Sequence, residues 1–164
     1  MSIIAQRKIA PSADDVTDVD DSGEAVSAGE FWPEIALSDL RLAARIAGDI
    51  TTSRLKHAAL EAVSHVTDQL DEWRAGQLQA GYAALADVPA REVNGESAKV
   101  YRYRRAVYSI ARAFILEGYR DVTTTAKGDK DADALDRQID DLWRDARWSI
   151  ADIQARPRVY AELF

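Results

Sequence analysis

The chain has no cysteine and two histidines, His57 and His65, so nucleophilic and metal chemistry have few places to start. His57, Glu61 and His65 recur at every fourth residue, and Asp68 and Glu72 continue the row. On a helix that spacing puts imidazole and carboxylate donors on one face, as a divalent ion would require. The row is not the inward Glu-x-x-His pair of di-iron bundles. Its spacing is Glu-x-x-x-His, it falls on the polar face, and no second helix carries a histidine. A nucleophile activated by a neighbouring base would depend on the same two residues. There is no glycine-rich phosphate loop or dinucleotide fingerprint, since Gly118 and Gly128 stand isolated. Asp140 and Asp141 fall on a solvated helix face, where ion pairing is the ordinary role. The expectation is a protein that is not an enzyme and that carries no metal or cofactor.

What remains is positive charge. The stretch Lys99 to Tyr119, KVYRYRRAVYSIARAFILEGY, is read as a helix at about 100° per residue. Val100, Val107, Ala111, Phe114 and Gly118 form an apolar centre line. Tyr101, Tyr108, Ile115 and Tyr119 make a second ridge, and Tyr103 and Ile110 widen the other flank. Lys99, Arg102, Arg105, Arg112 and Arg120 take the remaining side, while Arg104 projects from within the apolar arc. So wide an arc suits a central helix with several neighbours. Its basic back has two readings. The arginine stems cover apolar surface and pair with acids of adjacent helices, or the row meets phosphate, which needs charge and no sequence code. On one monomer such a row is weak; in a ring its field adds around the axis.

The elements that must carry this helix follow from periodicity. Residues 1–30 hold seven acids against Arg7 and Lys8, a balance of −5 within a total of −7, and no aromatic residue. They read as an acidic, disordered or extended arm, either solvated or docked on a neighbour in an assembly. Phe31-Trp32-Pro33 anchors the arm to the body. Ser38 caps a short helix from Asp39 to about Ala47, with Gly48 as its stop. Thr51 caps a long helix to about Ala80, with Ile50 and Leu55 as a hydrophobic staple and Gly81 as the stop. Its stripe is Leu55, Ala59, Ala62, Val66, Leu70 and Trp73. Residues 81–95 form a loop packed on the body, and Val122 to Ala134 is polar and mobile. The last helix starts near Asp131 or Asp133 and reaches about Ala155 before Pro157, burying Leu135, Ile139, Leu142, Ala146, Ile150 and Ile153. Trp148 falls on its opposite face as a candidate contact residue, with coverage by neighbouring side chains as the alternative. Arg156 to Phe164 alternates charge with apolar residues, so Arg158, Tyr160, Leu163 and Phe164 read as a docking tail. The expected fold is all-α: a small bundle of about three long helices and one short one, with extended arms at both ends. Its divisions are an acidic arm (1–30), a bundle (31–156) and a tail (157–164). No apolar run is long enough for a signal peptide or membrane span.

The order of features also resembles a family. After the anchor come LSDLRLAARI, TSRLKHAALEAVSHVTDQLDEWR, GYAALADVPA, YRRAVYSIARAFILEGYRDVTTT and DLWRDARWSIADIQARPRVYAELF. Together they are similar to the head-completion proteins (gene-L type) of contractile-tailed temperate phages, from Phe31 onward. The resemblance implies a structural virion protein, a head–tail connector made in the host cytoplasm. It would close the portal vertex of the DNA-filled capsid and offer the tail its attachment surface. Implied partners are the portal protein, a tail-completion or tail-terminator protein, further copies in a ring, and non-specifically the packaged DNA; no membrane is implied. The resemblance transfers no site residue. Arg102, Arg105 and Arg112 as a DNA-channel or subunit contact, and Trp148, Arg158, Tyr160, Leu163 and Phe164 as a portal or partner contact, rest on the residues alone. The rival reading is a DNA-binding regulator using the basic helix face, which would want a short exposed recognition helix.

Overall fold

The computed structural model describes residues 19–120 and 126–158, with side chains described from residue 130 in the second stretch. In chain order the elements are β1 (Ala25–Val26), β2 (Ile35–Ala36), α1 (Leu37–Ala43), α2 (Thr52–Gln69), α3 (Asp71–Gln79), a 3-10 turn (Leu85–Asp87), β3 (Glu92–Val93), β4 (Glu96–Ser97), α4 (Ala98–Arg120) and α5 (Ala126–Ile153). The fold is mainly helical, and α4 packs against both α2 and α5. Two short antiparallel pairs, β1 with β2 and β3 with β4, add strand structure that an all-α expectation did not include.

The α2 stripe forms as its spacing requires. Leu55, Ala59, Ala62, Val66 and Leu70 are all fully buried, and Trp73 packs partly against the same core. The Thr51 hydroxyl accepts from the Arg54 amide at 3.2 Å, and Ile50 and Leu55 are buried beside that cap. The single long helix expected to Ala80 is instead divided at Leu70, whose amide is shared between the Val66 and Thr67 carbonyls at 3.2 Å each. One turn earlier, the Ser64 and Thr67 hydroxyls donate to the Leu60 and Val63 carbonyls, both at 2.8 Å. Such back-bonding bends helices, and Asp71 and Glu72 then suit the positive end of the restarted α3.

Other boundaries also shift. α1 starts at Leu37, not behind Ser38, because the Leu37 amide donates to the Glu24 carbonyl at 3.0 Å and needs no side-chain cap. It ends at a left-handed Arg45 (φ 53°), before Gly48, with the Ile46 amide reaching back to the Arg41 carbonyl at 2.9 Å. Gly81 (φ 98°) closes α3 the same way, as expected. Asn94 and Gly95 both have positive φ (53° and 74°), which makes the β3–β4 connection a tight hairpin inside the expected loop. α5 begins at Ala126, so part of the polar segment expected to be mobile is helical.

Phe31 and Trp32 anchor the chain as expected. Trp32 stacks on Tyr103 at 5.0 Å between ring centroids, and Phe31 meets Trp32 edge-on at 4.8 Å. Ordered structure starts before this anchor. Of the segment read as an arm (1–30), residues 1–18 lie outside the described residues, and the remainder is held to the body at the buried Asp21 and Val26, with most of its other side chains exposed. Asp21 is held by Arg41, which donates to it from Nε and from Nη2 (3.0 Å), and by the Thr52 hydroxyl at 2.6 Å. Arg41 also donates to the Ala47 and Ile50 carbonyls at 3.0 and 2.8 Å, tying the α1–α2 connection to the same carboxylate.

Candidate assembly interface

Much of the basic side of α4 is paired with α5. Running antiparallel, Arg120 meets Asp136 at 3.3 Å, Arg105 meets Asp145 at 3.5 Å, and Arg102 pairs with Asp152. Lys99 donates to the Ile153 carbonyl, which places a cation on the negative end of α5. Glu117 completes the row by accepting from the Trp143 indole at 3.2 Å. Between these residues on the α4 surface lie Ala106, Ser109 and Ala113, all buried, small enough to let the two helices approach. The second ridge is divided, with Tyr108 and Ile115 packed partly against the core. Tyr101 and Tyr119 are exposed and Gly118 is solvent-facing, while Tyr103, assigned to a flank, is fully buried. Burial holds the Tyr103 hydroxyl proton far more tightly than usual, and that hydroxyl has no hydrogen-bond partner among the described residues.

Of the three arginines singled out from the sequence, Arg102 and Arg105 therefore belong to the α4–α5 seam. Arg112 has no ion pair among the described residues and lines a groove of about 830 Å³ between α1 and α4. Arg104, also on that groove, pairs with Glu96 at 2.7 Å.

Trp148 is half-buried between two guanidiniums, Arg144 at 4.9 Å and Arg158 at 5.0 Å from its ring. Arg158 also grips Asp152 through Nε at 3.1 Å and Nη2 at 2.7 Å. With Arg158 and then Arg102 beside it, the Asp152 carboxyl is held below its usual range. Trp148, Arg158 and Asp152 thus form one cluster that fixes where the C-terminal tail leaves α5. Tyr160, Leu163 and Phe164 lie outside the described residues.

The histidine row comes apart in three dimensions. His65 packs edge-on to Trp143 at 5.2 Å and contacts Gln69 at 2.6 Å, so it serves an aromatic cluster with Phe114. His57 and Glu61 line a separate groove of about 660 Å³ between α2 and the end of α4. No group of three His, Cys, Asp or Glu side chains among the described residues is placed to hold a metal ion. Trp143 and the Asp21–Arg41 pair went unread in the sequence. Trp143 sits four residues after Ile139, on the buried stripe, and that spacing was the available signal.

Residues 26–164 match the family model described as phage head completion protein (GPL). The chain belongs to that family. The head completion/stabilization protein of Escherichia phage P2 is 40% identical over 162 residues, covering 96% of each chain. No solved structure matches. Membership in the head completion family makes this a structural, virion-associated protein, in agreement with the resemblance carried by its motifs. The family match begins at Val26, the second residue of β1, so the shared region takes in the Val26–Ile35 pairing that brackets the Phe31 anchor. No helix among the described residues is long and apolar enough to cross a membrane.

Proposed function

We propose that this head completion protein joins the DNA-filled capsid at the portal vertex, closes the exit, and presents the surface on which the tail attaches. It acts as a ring of copies at the head–tail junction, contacting the portal protein on one side and a tail-completion or tail-terminator protein on the other. The observation that carries this reading is how charge is placed. The body pairs most cations of α4 with α5 and leaves two surfaces for other molecules: the α1–α4 groove and the end of α5 around Trp148. Both combine arginine with large aromatic side chains, the composition that dominates protein–protein contacts.

In this arrangement the cluster of Trp148, Arg158 and Asp152 aims the tail, and Tyr160, Leu163 and Phe164 dock on the portal. Packaged DNA in the ring would meet Arg112 more readily than Arg102 or Arg105, whose guanidiniums are already engaged by Asp152 and Asp145. The same pairing takes away the free basic face on which a DNA-binding regulator would rely. Coexpression with the portal protein followed by pull-down tests the reading. Capture of the full chain, reduced at least tenfold when residues 157–164 are removed, is expected; equal capture of both would refute the tail's role, and capture of neither would refute the portal contact.

A further inference from the structure

The α1–α4 groove is unlike the rest of the surface. Leu42 on its α1 wall is 80% exposed, more than any other exposed large apolar side chain of the described residues, and Tyr101 on the α4 wall is 53% exposed. Charge is segregated across it. Glu34 and Asp39 stand on the α1 side, whereas Arg112, with no ion pair among the described residues, stands on the α4 side beside Arg105, which is already paired with Asp145. An occupant would need a basic end, an apolar middle and an acidic end. Within residues 1–18 the chain has that order: Arg7-Lys8, then Ile9-Ala10-Pro11, then Asp14-Asp15.

We propose that the groove receives the Arg7–Asp15 segment of a second copy of this chain, with Ile9 on Leu42 and Tyr101 and the acids toward Arg112. The proposal rests on the reading that copies stand side by side on the head. A copy's own segment fits poorly. Asp21 is fixed beneath Arg41, and Asp39, Leu42 and Ala43 centre roughly 150° around α1 from Arg41. The six residues from Asp15 to Asp21 span at most about 20 Å, and half the girth of a helix is about 17 Å. The chain's own acids would therefore arrive first at the Glu34–Asp39 wall, placing like charges together. A neighbour's segment can enter from the other side with the charges matched.

Sedimentation velocity on the full chain tests this with two variants, Asp14→Lys/Asp15→Lys (arm altered, groove intact) and Arg112→Glu (groove altered, arm intact). The wild type should self-associate with rising concentration and less so in salt. Each variant alone should associate at least tenfold more weakly. Mixing the two should restore association, because the first offers a matching groove to the second's arm, and the combined triple substitution should self-associate again. Leu42→Asp, at an exposed site that leaves the core intact, should weaken the wild type similarly. A wild type that stays monomeric at all concentrations, variants that associate normally, or a mixture with no restored association would each overturn the proposal. Portal pull-down separates the two readings. Portal-bound rings formed by the arm variant would overturn the arm exchange alone, whereas restored association without portal capture would overturn the ring at the portal alone.

Discussion

Replacing Asp21 by Ala tests how the N-terminal segment is fastened to the bundle. The Asp21 and Arg41 side chains are 5% and 15% exposed, and the carboxylate takes two bonds from the guanidinium and one from Thr52. Removing one partner of a buried pair costs about 3–5 kcal/mol. Arg41 keeps the Ala47 and Ile50 carbonyls as acceptors, so the lower end applies, about 3 kcal/mol. That is a large share of a typical total of about 5–15 kcal/mol, and it should lower the melting temperature by about 6–12 °C. Urea unfolding followed by tryptophan fluorescence reads it directly, since Trp32 lies in the core next to this segment. The cycle of Asp21→Ala, Arg41→Ala and the double variant should give a coupling of about 2 kcal/mol. The acid limb supplies an independent check. The Arg41 hydrogen bond holds Asp21 below its usual 3.8, so its contribution is complete above about pH 4 and disappears as pH falls through the depressed value. Asp21→Ala should lack that part of the acid destabilisation. A coupling under about 0.5 kcal/mol, or an unchanged acid limb, would refute the pairing.

Three further outcomes follow from the same structure. Tyr103→Phe removes a buried hydroxyl that has no partner among the described residues and should stabilise the protein by about 1 kcal/mol in urea titration; destabilisation would show that the hydroxyl is satisfied. Gly81→Ala introduces a methyl that meets nothing within 4 Å, so any loss isolates the cost of φ 98°, about 1 kcal/mol by thermal unfolding, and no loss would contradict that backbone conformation. Asp152→Ala leaves Arg102 and Arg158 without their shared carboxylate and should cost about 1–2 kcal/mol near neutral pH, shrinking below about pH 4 where the wild-type carboxyl also protonates; an effect constant from pH 7 to pH 2 would count against it.

Periodicity makes the helical framework readable from the sequence. The stripes of α2 and α5 are dense enough in Leu, Ile, Val and Ala that only one face could be buried, and Thr51 and Gly81 are local signals that act alone. What escaped depends on geometry without periodicity. The break at Leu70 comes from hydroxyl bonds of Ser64 and Thr67 that leave the apolar stripe intact. On α4 the apolar arc is legible at Val100, Tyr103, Val107, Ile110 and Ala111, all buried, but hydropathy does not separate the exposed Tyr101 and Tyr119 from it, and it barely registers the further buried face of Ala106, Ser109 and Ala113. The first turns of α5 bear no apolar stripe, so periodicity places its start several residues late. The Asn94-Gly95 dipeptide, by contrast, is itself a hairpin signal in the sequence. At the candidate interface the residue types were legible but their partners were not. Arg102 and Arg105 look identical to Arg112 until the register of α4 on α5 shows that two are paired across the seam.

The central claim is that this head completion protein works at one vertex of the filled head. The most direct measurement is asymmetric cryo-EM of DNA-filled heads from a phage carrying the protein, set against heads from a phage lacking it. The account predicts helical density in a ring beneath the portal at a single vertex in the first set, absent from the second, where DNA leaks or tails fail to join. Density repeated across the capsid lattice, or filled heads that retain DNA and accept tails without the protein, would contradict it.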